Sequence, residues 1–294
     1  MTNAPDYAAQ RGPWRLNVVH PGVRLLAMPT TKPPKKTPVS TKAAKAPRAR
    51  MSLAEAMREL EKAGSAQTKK TYARHGAQEP MFGVSFATLK AMTKRIDVDH
   101  ELALALWGTG NFDAQNLAVK IVDPARMTPA DLDRWVREVS PSRMCGAYAA
   151  MLAAEGPHGA AKAAQWLGSK DDRERRAAWP LLGQLSQRDE TTPDAVFEKR
   201  LAEIERAIHT APNAEREGMN MAVIMIGCRN AALRKAATAA AKRIGKVDVD
   251  HGDTACKTAD AGEYIEKTWA HAKATGFESP AAQERTREVP RRRC

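Results

Sequence analysis

The strongest constraint on this chain is periodic. From residue 51 onward, apolar side chains return at the i, i+3, i+4, i+7 spacing of a single helix face, in one segment after another. Ala114, Leu117, Ala118, Ile121 and Val122 form one such stripe, and Leu132, Trp135, Val136 and Val139 form another. Phe197, Leu201, Ile204 and Ile208 repeat the pattern, as do Leu233, Ala236, Ala237, Ala240 and Ile244. No segment shows the period-two alternation of a half-buried strand. Val247-Asp248-Val249-Asp250 comes nearest and is too short to support a sheet. The expected fold is all-α.

Punctuation sets the helix lengths. Thr128-Pro129-Ala130-Asp131 and Thr192-Pro193-Asp194 each place a capping hydroxyl before a first-turn proline, with an acid near the positive helix end. Asp123-Pro124, Gly156-Pro157 and Ala211-Pro212 mark further breaks. The resulting helices have short connections, which suits a stack of antiparallel pairs. A compact all-α bundle is the alternative arrangement of the same elements.

Charge divides the chain into three. Residues 1–50 hold eight prolines and ten Lys and Arg against one acid, Asp6. Such a segment buries too little apolar surface to offset its ordering entropy, so it is expected to be disordered. Ser52-Leu53-Ala54-Glu55 reads as a capping box, so ordered structure is expected to begin there. Met51 directly precedes it, which leads to the expectation that Met51 is the native start. Residues 276–294, with Arg285, Arg287, Arg291, Arg292 and Arg293, are expected to form a second disordered basic tail. The domain between them, 51–275, is nearly neutral. Any affinity for polyanions must therefore come from local patches or from the tails.

Four cysteines without CxxC spacing in a chain of 294 residues imply no disulfide framework, so a reducing cytoplasm is expected. No apolar run reaches the roughly 18 residues that a membrane helix needs, so no membrane partner is expected.

Three segments carry a family resemblance. Met81-Phe82-Gly83-Val84-Ser85-Phe86 is the first, and Asp172-Arg173-Glu174-Arg175-Arg176-Ala177-Ala178-Trp179 the second. The third, residues 244–265, resembles a C-terminal extension of one branch. Together they resemble the HEAT-repeat, AlkD-like DNA alkylation-repair glycosylases over about residues 51–270. The resemblance implies a HEAT-like α-solenoid whose concave face holds a duplex. It also implies removal of N-alkylated purines, in which an Asp within a Trp-x-x-Cys-Asp pattern stabilises an oxocarbenium-like sugar. Here Ser142-Arg143-Met144-Cys145-Gly146 occupies that place, and aligning Cys145 puts Gly146 where the Asp belongs. Base excision is accordingly not expected to be efficient. Asp113, Glu138 and Glu155 are the acids nearest in sequence that could stand in.

The resemblance makes Arg176 the leading DNA contact, because family members place an Arg before two alanines against the DNA backbone. A guanidinium offers paired planar donors to phosphate. Arg173, Arg175 and Arg143 add to the local field. Lys69 and Lys70, with Arg74, and Lys90 and Lys94, with Arg95, are further phosphate candidates; so are the basic residues between Arg234 and Lys246. Each also reads as an ordinary solvated helix face. Trp179 is a candidate to face the lesion, since an indole can hold a cationic base. Trp135 and Trp166 lie in apolar contexts and are expected in the core. Asp250, His251, Asp253 and Cys256 match no zinc spacing, so no metal and no cofactor are expected. The expected function is DNA binding of the alkylation-repair type, by a monomer, on double-stranded DNA that is damaged or not B-form. A HEAT-repeat protein–protein scaffold is the alternative.

Overall fold

The computed structural model describes residues 50–139 and 143–293, without the side chains of 143–148. The expectation of disorder in 1–50 falls, but for Arg50, outside the described residues. Fourteen α-helices are described: α1 Leu53–Ala63, α2 Ala66–Arg74, α3 Phe86–Ile96, α4 His100–Gly108, α5 Phe112–Ile121, α6 Pro129–Glu138 and α7 Arg143–Glu155, followed by α8 Gly159–Leu167, α9 Asp172–Arg188, α10 Asp194–Ala207, α11 Asn213–Gly227, α12 Ala231–Ile244, α13 Ala261–Ala274 and α14 Pro280–Arg285. The all-α expectation holds: the nearest approach to a sheet among the described residues is a single antiparallel bridge between Gly64 and Val84.

Most of the helices start on a side-chain cap, while α8, α10 and α11 have none. Ser52 and Glu55 form the expected capping box, as do Thr128 and Asp131, and Asp171 and Asn230 accept from first-turn amides. One cap differs from expectation. Before α10, Thr192 turns away from the helix and donates its hydroxyl to Asp189. Partial burial raises the Asp189 carboxyl, but hydrogen bonds from the hydroxyls and amides of Thr191 and Thr192 outweigh it and bring the pKa down to about 2. The folded value lies below the unfolded value of about 3.9, so this group stabilises the fold above that pH. Its contribution should be lost as pH falls from about 4 to about 2. Urea midpoints across that window should drop more steeply for the native chain than for Asp189→Asn, and parallel curves would refute the assignment.

The odd-numbered helices form a continuous row, each packing on the next from α3 through α5, α7, α9 and α11 to α13. The even-numbered helices pair with them, α4 on α5, α6 on α7, α8 on α9, α10 on α11 and α12 on α13. This is the stacked HEAT-like arrangement. Two large apolar cores run along it with α9 as their shared wall, and a small third cluster joins Tyr72, Ala77, Met81 and Phe112. Ala177, Ala178, Leu181 and Leu185 belong to the first core, whereas Trp179 and Leu182 belong to the second. Pro180 lies between them, and α9 is helical on both sides of it. A proline there forfeits the amide that would bond the Arg176 carbonyl. Packing offsets that loss: α11 presents Gly218 at this point, where a Cβ would come within 3.1 Å of the Trp179 Cβ and 3.3 Å of the Pro180 ring. In the first core Trp107 of α4 stacks on Trp135 of α6 at 4.0 Å between ring centres and 2° between planes.

The expected C-terminal tail is corrected by the structure. Residues 276–293 pack against the solenoid, with α14 on α9 and a closing 3-10 turn at Arg291–Arg293 on α5 and α7. Arg292 is 2% exposed. It pairs with Glu155 at 2.6 Å and donates to the carbonyls of Val119 and Val122, while the buried Lys120 ammonium donates to its own carbonyl. Dense arginine reads as solvated tail only when no partners are in sight. These partners come from 137 to 173 residues earlier in the chain.

Candidate nucleic-acid interface

The Phe82-Gly83-Val84 segment is a turn gripped from three sides. Asp113, fully buried at the start of α5, accepts from the amides of Phe82 at 2.6 Å, Gly83 at 3.0 Å and Val84 at 2.8 Å. The Tyr72 hydroxyl donates to the Val84 carbonyl at 2.6 Å. Gly83, at φ +81°, lies against the α1–α2 junction, where a Cβ would meet the Ser65 carbonyl at 2.5 Å and the Lys69 amide at 2.7 Å. The turn therefore fixes α2 against α5, and with it the placement of Lys69 and Lys70.

The basic residues expected to contact phosphate fall into two groups. On α2 and α3, Lys70, Lys90 and Lys94 are exposed and form no ion pair among the described residues. Lys90 and Lys94 share one face of α3, a turn apart. Lys69 is engaged at 2.8 Å by Glu79, whose carboxyl it holds below its usual range, and Arg95 pairs with Glu59. The second group lies on the first turns of α9. Arg176 is half-buried there, and exposed Arg173 donates to the Arg137 carbonyl. Arg175 is tied down by Asp172, by Glu215 at 3.0 Å and by the Ser169 carbonyl at 3.1 Å. It is thus a cross-link between α9 and α11 and not a loose phosphate contact. Arg143 begins α7, and its side chain falls outside the described residues.

These groups are not adjacent. From α3 to α9 the row takes three steps, through α5 and α7. At 8–10 Å per step that spans on the order of 25 Å. A rise of 3.4 Å per base pair makes this about seven or eight pairs of duplex.

Trp179 is corrected: it is 3% exposed and belongs to the second core, whereas Ala177 and Ala178 belong to the first. Trp135 and Trp166 are fully buried, as expected. Each of the three acids nearest in sequence to the absent Asp has a partner, two of them buried and Glu138 exposed. Asp113 holds the turn at 82–84, Glu138 accepts from the Trp107 indole at 2.8 Å, and Glu155 is buried against Arg292. Gly146 lies in the first turn of α7. Asp250 and His251 sit in the loop after α12, where Asp250 accepts from the Gly252 amide and His251 bonds Thr258.

Comparison with known proteins agrees with this architecture. Residues 56–265, most of the chain, match the family model described as DNA alkylation repair enzyme. The chain belongs to this family. A solved structure from a new family of proteins related to the HEAT-like repeat DNA glycosylases, with affinity for branched DNA structures, aligns at a TM-score of 0.69. It shares 30% identity, over 78% of this chain and 97% of that one. Uncharacterised proteins of Listeria monocytogenes and Listeria innocua are 29% and 28% identical over 216 residues, which is 71% of this chain and 93% of each of theirs. Among the described residues no helix is long and apolar enough to cross a membrane.

Proposed function

We propose that this family member binds double-stranded DNA that is branched or otherwise not B-form, as a monomer, and that it does not excise bases efficiently. The observation carrying this reading is the absence of a carboxylate at Gly146, with Asp113 and Glu155 buried against structural partners, while Lys70, Lys90 and Lys94 stay exposed. Excision of a cationic base leaves positive charge on the sugar, which a nearby anion must stabilise. Phosphate binding needs only well-placed cations, and the spacing between α3 and α9 suits a duplex. The affinity of the solved relative for branched DNA supports the same direction.

The test is a titration of a four-way junction and a linear duplex with the full chain and with Lys90→Glu/Lys94→Glu. The double variant should lose about tenfold or more in affinity for the junction, and its salt dependence should flatten by about two phosphate contacts. Unchanged junction binding would remove α3 from the interface. Methylated duplex should release purines no faster than in protein-free controls, whereas multiple-turnover release would overturn the non-excising half of the reading.

A further inference from the structure

The C-terminal segment touches the row of odd-numbered helices in a particular way: it meets five successive members, each at its C-terminal end. The Ala281 amide donates to the Cys228 carbonyl just past α11, at 3.1 Å. Arg285 donates to the Gln187 carbonyl in the last turn of α9, and Glu284 sits 3.8 Å from Arg188 beside it. Arg292 takes Glu155, the last residue of α7, together with the Val119 and Val122 carbonyls that end α5. Arg293 reaches Asp97, the residue that caps α3, at 2.7 Å. Helix C-termini carry unpaired carbonyls and partial negative charge, so guanidinium groups are suited to hold them.

In a stacked-repeat protein each repeat contacts only its neighbours, and small rotations between repeats add up to the curvature of the whole. A strap touching five members of the row restrains that freedom, most firmly at α5 and α7 through buried Arg292 and least at α3, where Asp97 is largely exposed. We infer that residues 280–293 act as a clasp that sets the spacing of α3, α5, α7, α9 and α11, and through it the shape of DNA that the protein accepts. Arg292 is then a positioning residue: it touches no DNA, but it holds the ends that determine how far apart the α3 and α9 cations stand. This inference rests on the DNA-binding reading for its functional half, while the clasp itself can be observed without DNA.

The test uses the full chain with Arg292→Glu, which places two acids together in a buried pocket, and with Arg285→Ala/Arg293→Ala, which loosens the partly exposed anchors and buries no new charge. If Arg292→Glu does not fold, the double variant decides. Hydrogen exchange without DNA reads the clasp. Faster exchange in the last turns of all five helices is expected, and acceleration confined to the helices that lost a direct contact would overturn the clasp. Anisotropy titrations read the shape selection. The ratio of junction to linear-duplex affinity should move at least fivefold toward unity in the loosened variants. A lowered affinity at an unchanged ratio would mean that the strap is merely structural. If the native chain binds neither DNA, the functional reading fails while the exchange experiment still decides the clasp.

Discussion

Asp113→Ala should cost about 4 kcal/mol, because two buried amide donors and a part-buried one lose their acceptor together and each unsatisfied donor is worth about 1–3 kcal/mol. The side chain is fully buried, so solvent cannot simply take the vacated place. Asp113→Asn keeps the shape but turns an NH2 group toward at least one of those donors, and roughly half the loss is expected. Urea unfolding with a two-state fit measures both values. A loss below about 1 kcal/mol for the alanine variant would mean that the 82–84 turn finds its bonds elsewhere. The same substitution bears on chemistry. A buried clamp and a catalytic anion make opposite demands on one carboxylate, so weak base release from the native chain should not depend on Asp113 once stability is corrected for.

The second large effect is expected in the other core. Arg229, 8% exposed, follows α11 and holds the connection between α9 and α10. It donates to the carbonyls of Ser186, Asp189 and Thr192 and pairs with Asp194 at 3.0 Å, with its guanidinium 4.9 Å from the centre of the Phe197 ring. Arg229→Ala strands those acceptors and should cost about 3–5 kcal/mol. Arg229→Lys retains the charge, but a single ammonium cannot serve the same spread of acceptors, so most of the loss should persist. Hydrogen exchange should show opening concentrated around residues 186–197 rather than in the first core. Uniform loosening of the whole chain would show that the two cores do not open separately.

These two residues also show where sequence reading stops. The helical stripes predicted the elements well, because an amphipathic face is a local property written every three or four residues. The caps at Ser52 and Thr128 were legible for the same reason, since the partner lies three residues on. Asp113, Arg229 and Arg292 were not, because their partners lie roughly 30, 40 and 140 to 170 residues away and no spacing rule joins them. Trp179 misled for a related reason. Its neighbours Arg176, Ala177 and Ala178 suggested a ligand-facing surface, but beyond its first turns α9 is a wall between two cores, and Trp179 lies in that wall. The lysines of α3 could be named from sequence, whereas the capture of Arg175 by Glu215 needed α11 in place. Gly146 was legible as an absence, and the geometry adds that two of the acids nearest in sequence, Asp113 and Glu155, are buried against other partners.

The stacked indoles of Trp107 and Trp135 have a practical consequence. Two parallel rings 4.0 Å apart share an electronic excitation, so their absorption and circular dichroism belong to the pair and not to either ring. One ring rides on α4 and the other on α6, and any motion that parts these helices uncouples the chromophores. The protein thus carries an unlabelled optical gauge in its N-terminal half, one that can be read as urea or heat parts the helices.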